Sequence, residues 1–299
     1  MTDSDQHAAS RARSSPPVLS TLVLRALVER AIEEDLGSGD ITTRLTVRER
    51  QRARGAFMAK ADLVVAGQPV AAEVFQVLDA SSRFEPTVEE GTEMKAGTKL
   101  AAVEGSAAAL LAGERVALNF LQRLCGIATL TRQMKSSLAG LPVALLDTRK
   151  TTPGLRTLEK YAVRVGGGEN HRLRLDDGIL IKNNHLRLAG GVRAAVESAH
   201  RMRPLLAPQW PIEVEVRSLA ELQDALDAGA EAVLLDNMTP EEVRECVKAA
   251  AGRTRLEVSG GVSAANIRAY AETGVDAISV GALTHSAPAA DINFLIEPL

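Results

Sequence analysis

Over the second half of the chain, short apolar runs alternate with amphipathic stretches. The runs are PVALLD, ILIKNNH, IEVEV, AVLLDN, RLEVSGG and AISVGA, and between the later ones lie SLAELQDALDAGA, TPEEVRECVKAAAG and SAANIRAYAETG. Short apolar runs bounded by Gly and polar residues predict buried strands, and the 3.6-residue periodicity between them predicts helices. Strand starts recur roughly every twenty residues, the rhythm of βα units in a parallel sheet. Four consecutive units towards the C-terminus favour a closed α/β barrel over a doubly wound sheet. Thr239 with Glu242, and Ser218 with Glu221, have the spacing of capping boxes at helix starts.

The first half is patterned differently. TLVLRALVERAIEEDL predicts an amphipathic helix, with Leu22, Ala26 and the Glu29–Arg30 pair at helical spacing and Gly37 as its stop. GSGDITT reads as a turn cluster. GAFMAKADLVVAG and TKLAAVEG predict strands, VAAEVFQVL a helix, and residues 110–139 a further helical stretch. No strand–GxGxxG–helix and no Walker loop is present, which excludes a Rossmann or P-loop nucleotide site. Gly166-Gly167-Gly168 lies between Arg164 and His171, outside any strand-to-helix turn.

Composition narrows the function class. With 45% hydrophobic and 24% charged residues the chain is an ordinary globular protein, and with only 3% aromatics its core is built from Ala, Val, Leu and Ile. A pI near 6.0 and few aromatics exclude a nucleic-acid partner, which needs basic surface and stacking platforms. Cys125 and Cys246 are isolated, form no metal or redox spacing, and fit buried thiols in a reducing compartment. No apolar run approaches the length of a membrane span. Residues 1–17 are polar and lack an apolar core, so they read as a disordered tail rather than a targeting signal, and the expected location is cytoplasmic.

Charge is distributed unevenly. Between Asp147 and Arg187 stand nine lysines and arginines against five acids, in a chain whose net charge is −3. Such a window is either a solvated basic face or an anion site. The strand ends decide in favour of the second, because catalytic residues of parallel barrels sit there. In order they carry Asp147, Arg149 and Lys150; Lys182, Asn184 and His185; Glu213 and Glu215; Asp236 and Asn237; Ser259-Gly260-Gly261; and Gly281-Ala282 followed by Thr284 and His285. Alternation along IEVEV sends Glu213 and Glu215 to one side and Val214 and Val216 to the other. SGG and VGA suit a phosphate cradle, because glycine lets backbone N–H groups approach an anion closely; the plainer reading is two tight βα turns. Glu215 and Asp236 suit a cation-like sugar centre or a Mg²⁺ ion carrying phosphate oxygens. The whole describes a phosphorylated sugar meeting an acidic partner.

These blocks resemble the quinolinate phosphoribosyltransferase family. The resemblance rests on EDLGSGDITT, GERVALNFLQRLCGIAT, DTRKTTPGLRTLEKYAVRVGGGENHR, EVEV, LLDN, SGG and VGALTHSAPAADINFLI, and it covers residues 19–296 in order. It implies an α/β fold in which an N-terminal α/β sandwich precedes an incomplete, TIM-like α/β barrel. The corresponding division is a tail at 1–18, the sandwich with connecting helices at 19–140, the barrel at 141–286, and a segment at 287–299 packing back on the N-terminal domain. It implies conversion of quinolinate and phosphoribosyl pyrophosphate to nicotinate mononucleotide, pyrophosphate and CO₂, with Mg²⁺ as cofactor, in de novo NAD biosynthesis. Carried onto this chain, quinolinate meets Arg115, Thr148, Arg149, Lys150, His171, Arg172 and Lys182. The phosphoribosyl group meets Glu215, Asp236, Ser259, Gly260, Gly261, Val280, Gly281, Ala282 and His285. Lys150, Glu215 and Asp236 are the implied catalytic groups, and Glu215 and Asp236 the metal residues, directly or through water. A homodimer with shared sites is also implied, Arg115 coming from the partner. One departure is visible: the family often has an acid after the lysine, and here the sequence is KNNH, with Asn183.

Two other functions are compatible with parts of the pattern. A phosphoribosyltransferase for another pyridine-like acid would use the same strand ends. Residues 88–105, VEEGTEMKAGTKLAAVEG, resemble half of a biotinyl or lipoyl hairpin with Lys95 as attachment site, although Ala96 stands where such hairpins carry Met.

Overall fold

The computed structural model describes residues 19–299. The expected tail lies outside them.

The N-terminal part runs α1 (Thr21–Leu36), α2 (Ile41–Thr46), β1 (Arg52–Ala59), β2 (Leu63–Val64), α3 (Gln68–Leu78), β3 (Arg83–Pro86), β4 (Glu93–Met94), β5 (Lys99–Ser106) and α4 (Ala107–Ser137). α1 spans the predicted residues, but its buried face is Leu24, Val28 and Ile32, four apart, and Leu22 points outward at 82% exposure. GSGDITT, expected as a turn, starts α2 instead: Asp40 accepts the N–H of Thr43 at 3.0 Å and caps it. GAFMAKADLVVAG is divided between β1 and β2. β1 alternates buried with more open positions, the mark of a strand covered on one face, whereas β5 beside it is buried continuously from Leu100 to Val103. That face packs Phe57 against Phe75, Phe84 and Phe294, so four of the chain's five phenylalanines meet in one place. Gly55 is required there, because a Cβ would lie 2.0 Å from the Phe294 ring.

The second part runs β6 (Ala144–Leu146), α5 (Arg156–Val165), β7 (Ile179–Ile181), α6 (Asn183–Ala189), α7 (Val192–Leu206), β8 (Ile212–Val216), α8 (Leu219–Asp227), β9 (Ala232–Asp236), α9 (Pro240–Ala250), β10 (Arg255–Ser259), α10 (Ile267–Ala271), β11 (Ala277–Ser279) and α11 (Ala282–His285). Its six strands are parallel, in the order β6-β11-β10-β9-β8-β7. The closed barrel favoured by the βα rhythm is not formed: β6 and β7, three residues each, are edges that do not pair with each other. A bridge from Leu146 to Glu169 covers part of the gap. α9 carries the predicted capping box, Thr239 and Glu242 each bonding the other's backbone. At α8 only half of the device forms, because the Glu221 carboxylate takes the N–H of Arg217 instead.

The final strand, β12 (Ile292–Pro298), returns to the first part and pairs antiparallel with β1, giving the sheet β12-β1-β5-β3. α4 runs between the two parts, against α3 and α5, with sixteen of its residues buried. No helix of the described residues is long and apolar enough to cross a membrane.

Candidate active site

Strand register places the inward side chains in layers. Ser259 is level with Asp236 and Ser279; one layer deeper, Leu234 is level with both Glu215 and Glu257. β8 is buried throughout, so Glu213 and Glu215 face the interior of the barrel while Val214 and Val216 are fully covered on its outer side. A cavity of about 290 Å³ opens above these layers. Thr148, Arg149, Lys150, His171, Arg172, Lys182, Glu215, Asp236 and Ser259, all expected from the sequence, line it, with Leu180, Leu234, Glu257 and Ser279.

Several interactions hold the lining in place. Thr284 donates from its hydroxyl to the Lys150 carbonyl at 2.8 Å, and the Lys150 N–H donates to Thr148 Oγ1 at 3.0 Å. Arg149 Nε is buried and, among the described residues, accepted by no hydrogen-bond partner, a charged donor left available to an anion. Arg172 donates to the Gly178 carbonyl at 3.0 Å; burial, then the nearby Arg149, lowers its pKa. Lys182, half exposed, lies 3.9 Å from Glu215 Oε2. His185 accepts the Lys182 N–H on Nδ1 at 2.8 Å and so serves the start of α6. Asn183, the departure noted above, donates its side-chain amide to Glu215 Oε1. An acid at that position would have faced Glu215 with a like charge.

Glu215 and Asp236 share the cavity. Burial first, and the charge of Asp236 second, push Glu215 above the ordinary carboxylate range. Asp236 accepts from Arg217 Nε at 3.0 Å and from Asn237 Nδ2 at 2.9 Å. Two carboxylates that repel each other and share one cavity fit a hard divalent cation, which keeps oxygen ligands and shares them with phosphate.

The cation window has two parts. Lys160 is buried in an ion pair with Asp147, and Arg156 donates to Thr151 and to the carbonyls of Arg149 and Leu173. These build the loops; Arg149, Lys150, Arg172 and Lys182 face the cavity. Gly260, Gly261, Val280, Gly281, Ala282 and His285 lie outside the lining. Gly260 has φ +91°, and a Cβ there would stand 2.3 Å from Asn237 Oδ1, so the turn after β10 requires glycine. The Val280 N–H is used by the Leu146 carbonyl, and His285 Nδ1 lies 2.6 Å from the Ser286 hydroxyl. Arg115 is exposed on α4 and is not brought to the cavity by its own chain. Glu257 and Ser279 were missed in the sequence, although each stands two residues before an expected strand end and alternation puts both on its inner side.

A parallel barrel whose mouth gathers four cations and three acids, with a glycine turn following Ser259, suits the joining of an anionic acceptor to a phosphorylated sugar. The chain belongs to the quinolinate phosphoribosyltransferase family: its N-terminal domain model matches residues 40–125 and its C-terminal domain model residues 127–295. The probable nicotinate-nucleotide pyrophosphorylase (carboxylating) of a Synechocystis strain is 42% identical over 279 residues, covering 92% of this chain and 93% of its own. The Nicotiana tabacum quinolinate phosphoribosyltransferase (decarboxylating) 1b is 38% identical, covering 94% and 85%. The crystal structure of NadC from Streptococcus pyogenes superposes with a TM-score of 0.89 at 37% identity, covering 94% of this chain and 99% of that one. The two-domain fold, sandwich and incomplete barrel, is therefore that of the family. The hairpin at residues 88–105 is part of this N-terminal domain, and Lys95 is paired with Asp62 at 2.6 Å.

Proposed function

We propose that this chain transfers the phosphoribosyl group of phosphoribosyl pyrophosphate to the ring nitrogen of quinolinate and releases pyrophosphate and CO₂, giving nicotinate mononucleotide for NAD biosynthesis. The observation that carries the reading is the meeting of Arg149, Lys150, Arg172 and Lys182 with Glu215 and Asp236 around one cavity. Quinolinate carries two adjacent carboxylates and its co-substrate several phosphate charges, so bringing them together without cations would be strongly repulsive. Arginine suits the carboxylates, because its planar fork matches them and fixes the ring.

The ring nitrogen lone pair forms the bond to ribose C1 as the bond from C1 to pyrophosphate breaks. Positive charge develops at C1, where Glu215 and Asp236 offer negative charge. The product nitrogen is then a pyridinium. It accepts the electron pair left when the neighbouring carboxylate leaves as CO₂, and a proton replaces that carboxylate. Glu215 and Asp236 would hold Mg²⁺, whose contribution is to neutralise pyrophosphate as it leaves. Ser259, Gly260, Gly261 and the turn at Val280, Gly281 and Ala282, with His285, would receive the phosphoribosyl phosphate.

We place the exposed Arg115 in the site of a partner copy, which makes the functional unit a homodimer, and we expect it in the cytoplasm. The test is incubation with quinolinate, phosphoribosyl pyrophosphate and Mg²⁺, following nicotinate mononucleotide and CO₂ together. Nicotinate in place of quinolinate is expected to give no product, because a monocarboxylate leaves cations unpaired. Product from nicotinate, and none from quinolinate, would overturn the reading.

A further inference from the structure

In the cavity floor, His171 is held at every polar atom. Its N–H donates to Asp147 at 2.9 Å and its carbonyl accepts from Lys160 Nζ at 2.9 Å. Its ring Nδ1 accepts the backbone N–H of Arg172 at 2.8 Å. Its Nε2 lies 3.3 Å from Glu213 Oε2 and 3.6 Å from Glu257 Oε1, two acids buried in the barrel interior. Among the described residues, no side chain is in hydrogen-bonding geometry with Glu213 Oε1 or either Glu257 oxygen.

The three ligand-type atoms lie within 4.8 Å of one another, close enough to hold a metal ion. The ring decides against one. A backbone N–H can only donate, so Nδ1 is bare and the ring proton sits on Nε2, aimed at the acids. A metal-ligating histidine has the opposite arrangement, a bare nitrogen on the metal and the other N–H donating outward. The acids draw the imidazole towards its charged form against the effect of burial, but a second proton, on Nδ1, would meet the Arg172 N–H head on.

We propose that Glu213 and Glu257 are positioning residues: they take the Nε2 proton of His171, fix its ring, and through Nδ1 hold the backbone of Arg172 so that the guanidinium is set for the substrate carboxylates. This rests on the reading of quinolinate as substrate. His171 is then a neutral hub in the cavity floor, and the positive charge comes from the arginines and lysines around it. Of the two acids Glu213 is nearer and carries more of the effect.

The test has an arm that needs no substrate. With histidine ring nitrogens labelled by ¹⁵N, and the His171 signals assigned by their loss in His171→Gln, the free enzyme is expected to show a protonated Nε2 and a bare Nδ1. A proton on Nδ1, or a shift of the Nε2 signal on adding Zn²⁺ alone, overturns the proposal, the second in favour of a metal site. The kinetic arm uses Glu213→Leu, which keeps volume and loses the acceptor, and Glu213→Gln, which keeps an acceptor oxygen. Glu213→Leu is expected to raise the KM for quinolinate at least tenfold, leaving that for phosphoribosyl pyrophosphate within threefold, and Glu213→Gln to recover most of the loss. A folded Glu213→Leu with unchanged quinolinate KM overturns the proposal. Wild-type enzyme inert towards quinolinate would sink the substrate reading instead, and the ring assignment would still be decided by the free enzyme.

Discussion

Arg123 Nη2 on α4 lies 2.7 Å from Glu159 Oε1 on α5, and this pair joins the helix of the N-terminal domain to the loop that bears the cations. Glu159 also accepts the N–H of Thr152 at 3.0 Å and its hydroxyl at 2.8 Å, while Arg123 donates to the carbonyls of Thr284 and Ala287. Glu159 is wholly buried, so removing its cation leaves an uncompensated charge. Arg123→Met is expected to destabilise the protein by about 3 kcal/mol, measured by urea unfolding. A change under about 1 kcal/mol would show that the threonine bonds suffice.

Lys182 has only a distant acid nearby, and its charge is available to substrate. Lys182→Ala should weaken quinolinate binding by about 2 kcal/mol, roughly thirtyfold, the worth of one charged hydrogen bond. Calorimetric titration checks it, with thermal unfolding as a control, since a half-exposed lysine contributes little to folding.

Glu215→Gln keeps the shape and removes the charge. If Glu215 acts on the charge that develops at C1, turnover falls on the order of a hundredfold while quinolinate affinity stays within threefold. Normal turnover in this variant would make Glu215 a structural acid of the barrel floor.

Subunit mixing tests the shared site. Arg115→Ala and Lys182→Ala are allowed to exchange subunits and are assayed at a quinolinate concentration low enough that each alone is nearly silent. In a mixed dimer one site collects both lesions and the other none, so activity returns to about a quarter of wild type. If exchange is confirmed by mass-tagging one variant and no activity returns, Arg115 and Lys182 do not serve a common site across subunits.

Stability should depend on pH through Glu257. Burial, then the charge of Glu213, push it up to about 7, against the relief offered by the nearby Ser279 hydroxyl and Arg255. An acid in the unfolded chain titrates near 4.3, so between about 4.3 and 7 the folded state binds more protons and stability falls as pH rises. Glu257→Gln removes this loss. Its Tm relative to wild type should therefore be higher at pH 8 than at pH 5, by an amount equivalent to about 2 kcal/mol. Equal differences at the two pH values would mean that the folded state does not raise Glu257 above its unfolded value.

Much of this was legible in the chain. The βα rhythm gave every barrel strand, Thr239 and Glu242 marked a helix start, and alternation in IEVEV turned both acids inward. Closure was not legible, because it depends on two edge strands of three residues each and on the loop between them. The start of α2 was hidden in a turn-like composition, since Asp40 serves a cap as readily as a turn. Alternation alone puts Glu257 and Ser279 on the inner side of their strands, but only register shows which residues they face, setting their strands level with Glu215 and Asp236 across Leu234 and Ser259. Arg115 shows the remaining limit: it is exposed on α4 and is not among the residues that line the cavity of its own chain.

The pairing of β12 with β1 bears on how the protein is made. On the ribosome β1 emerges early, yet its neighbour on one side, and the Phe294 ring 4.5 Å from Phe57, arrive only after the whole barrel has been synthesised. Until then one edge of the N-terminal sheet has unpaired backbone and a gap in its aromatic core, an opening to wrong partners and to chaperones. The barrel can collapse as it emerges, but the domain that begins the chain is finished last.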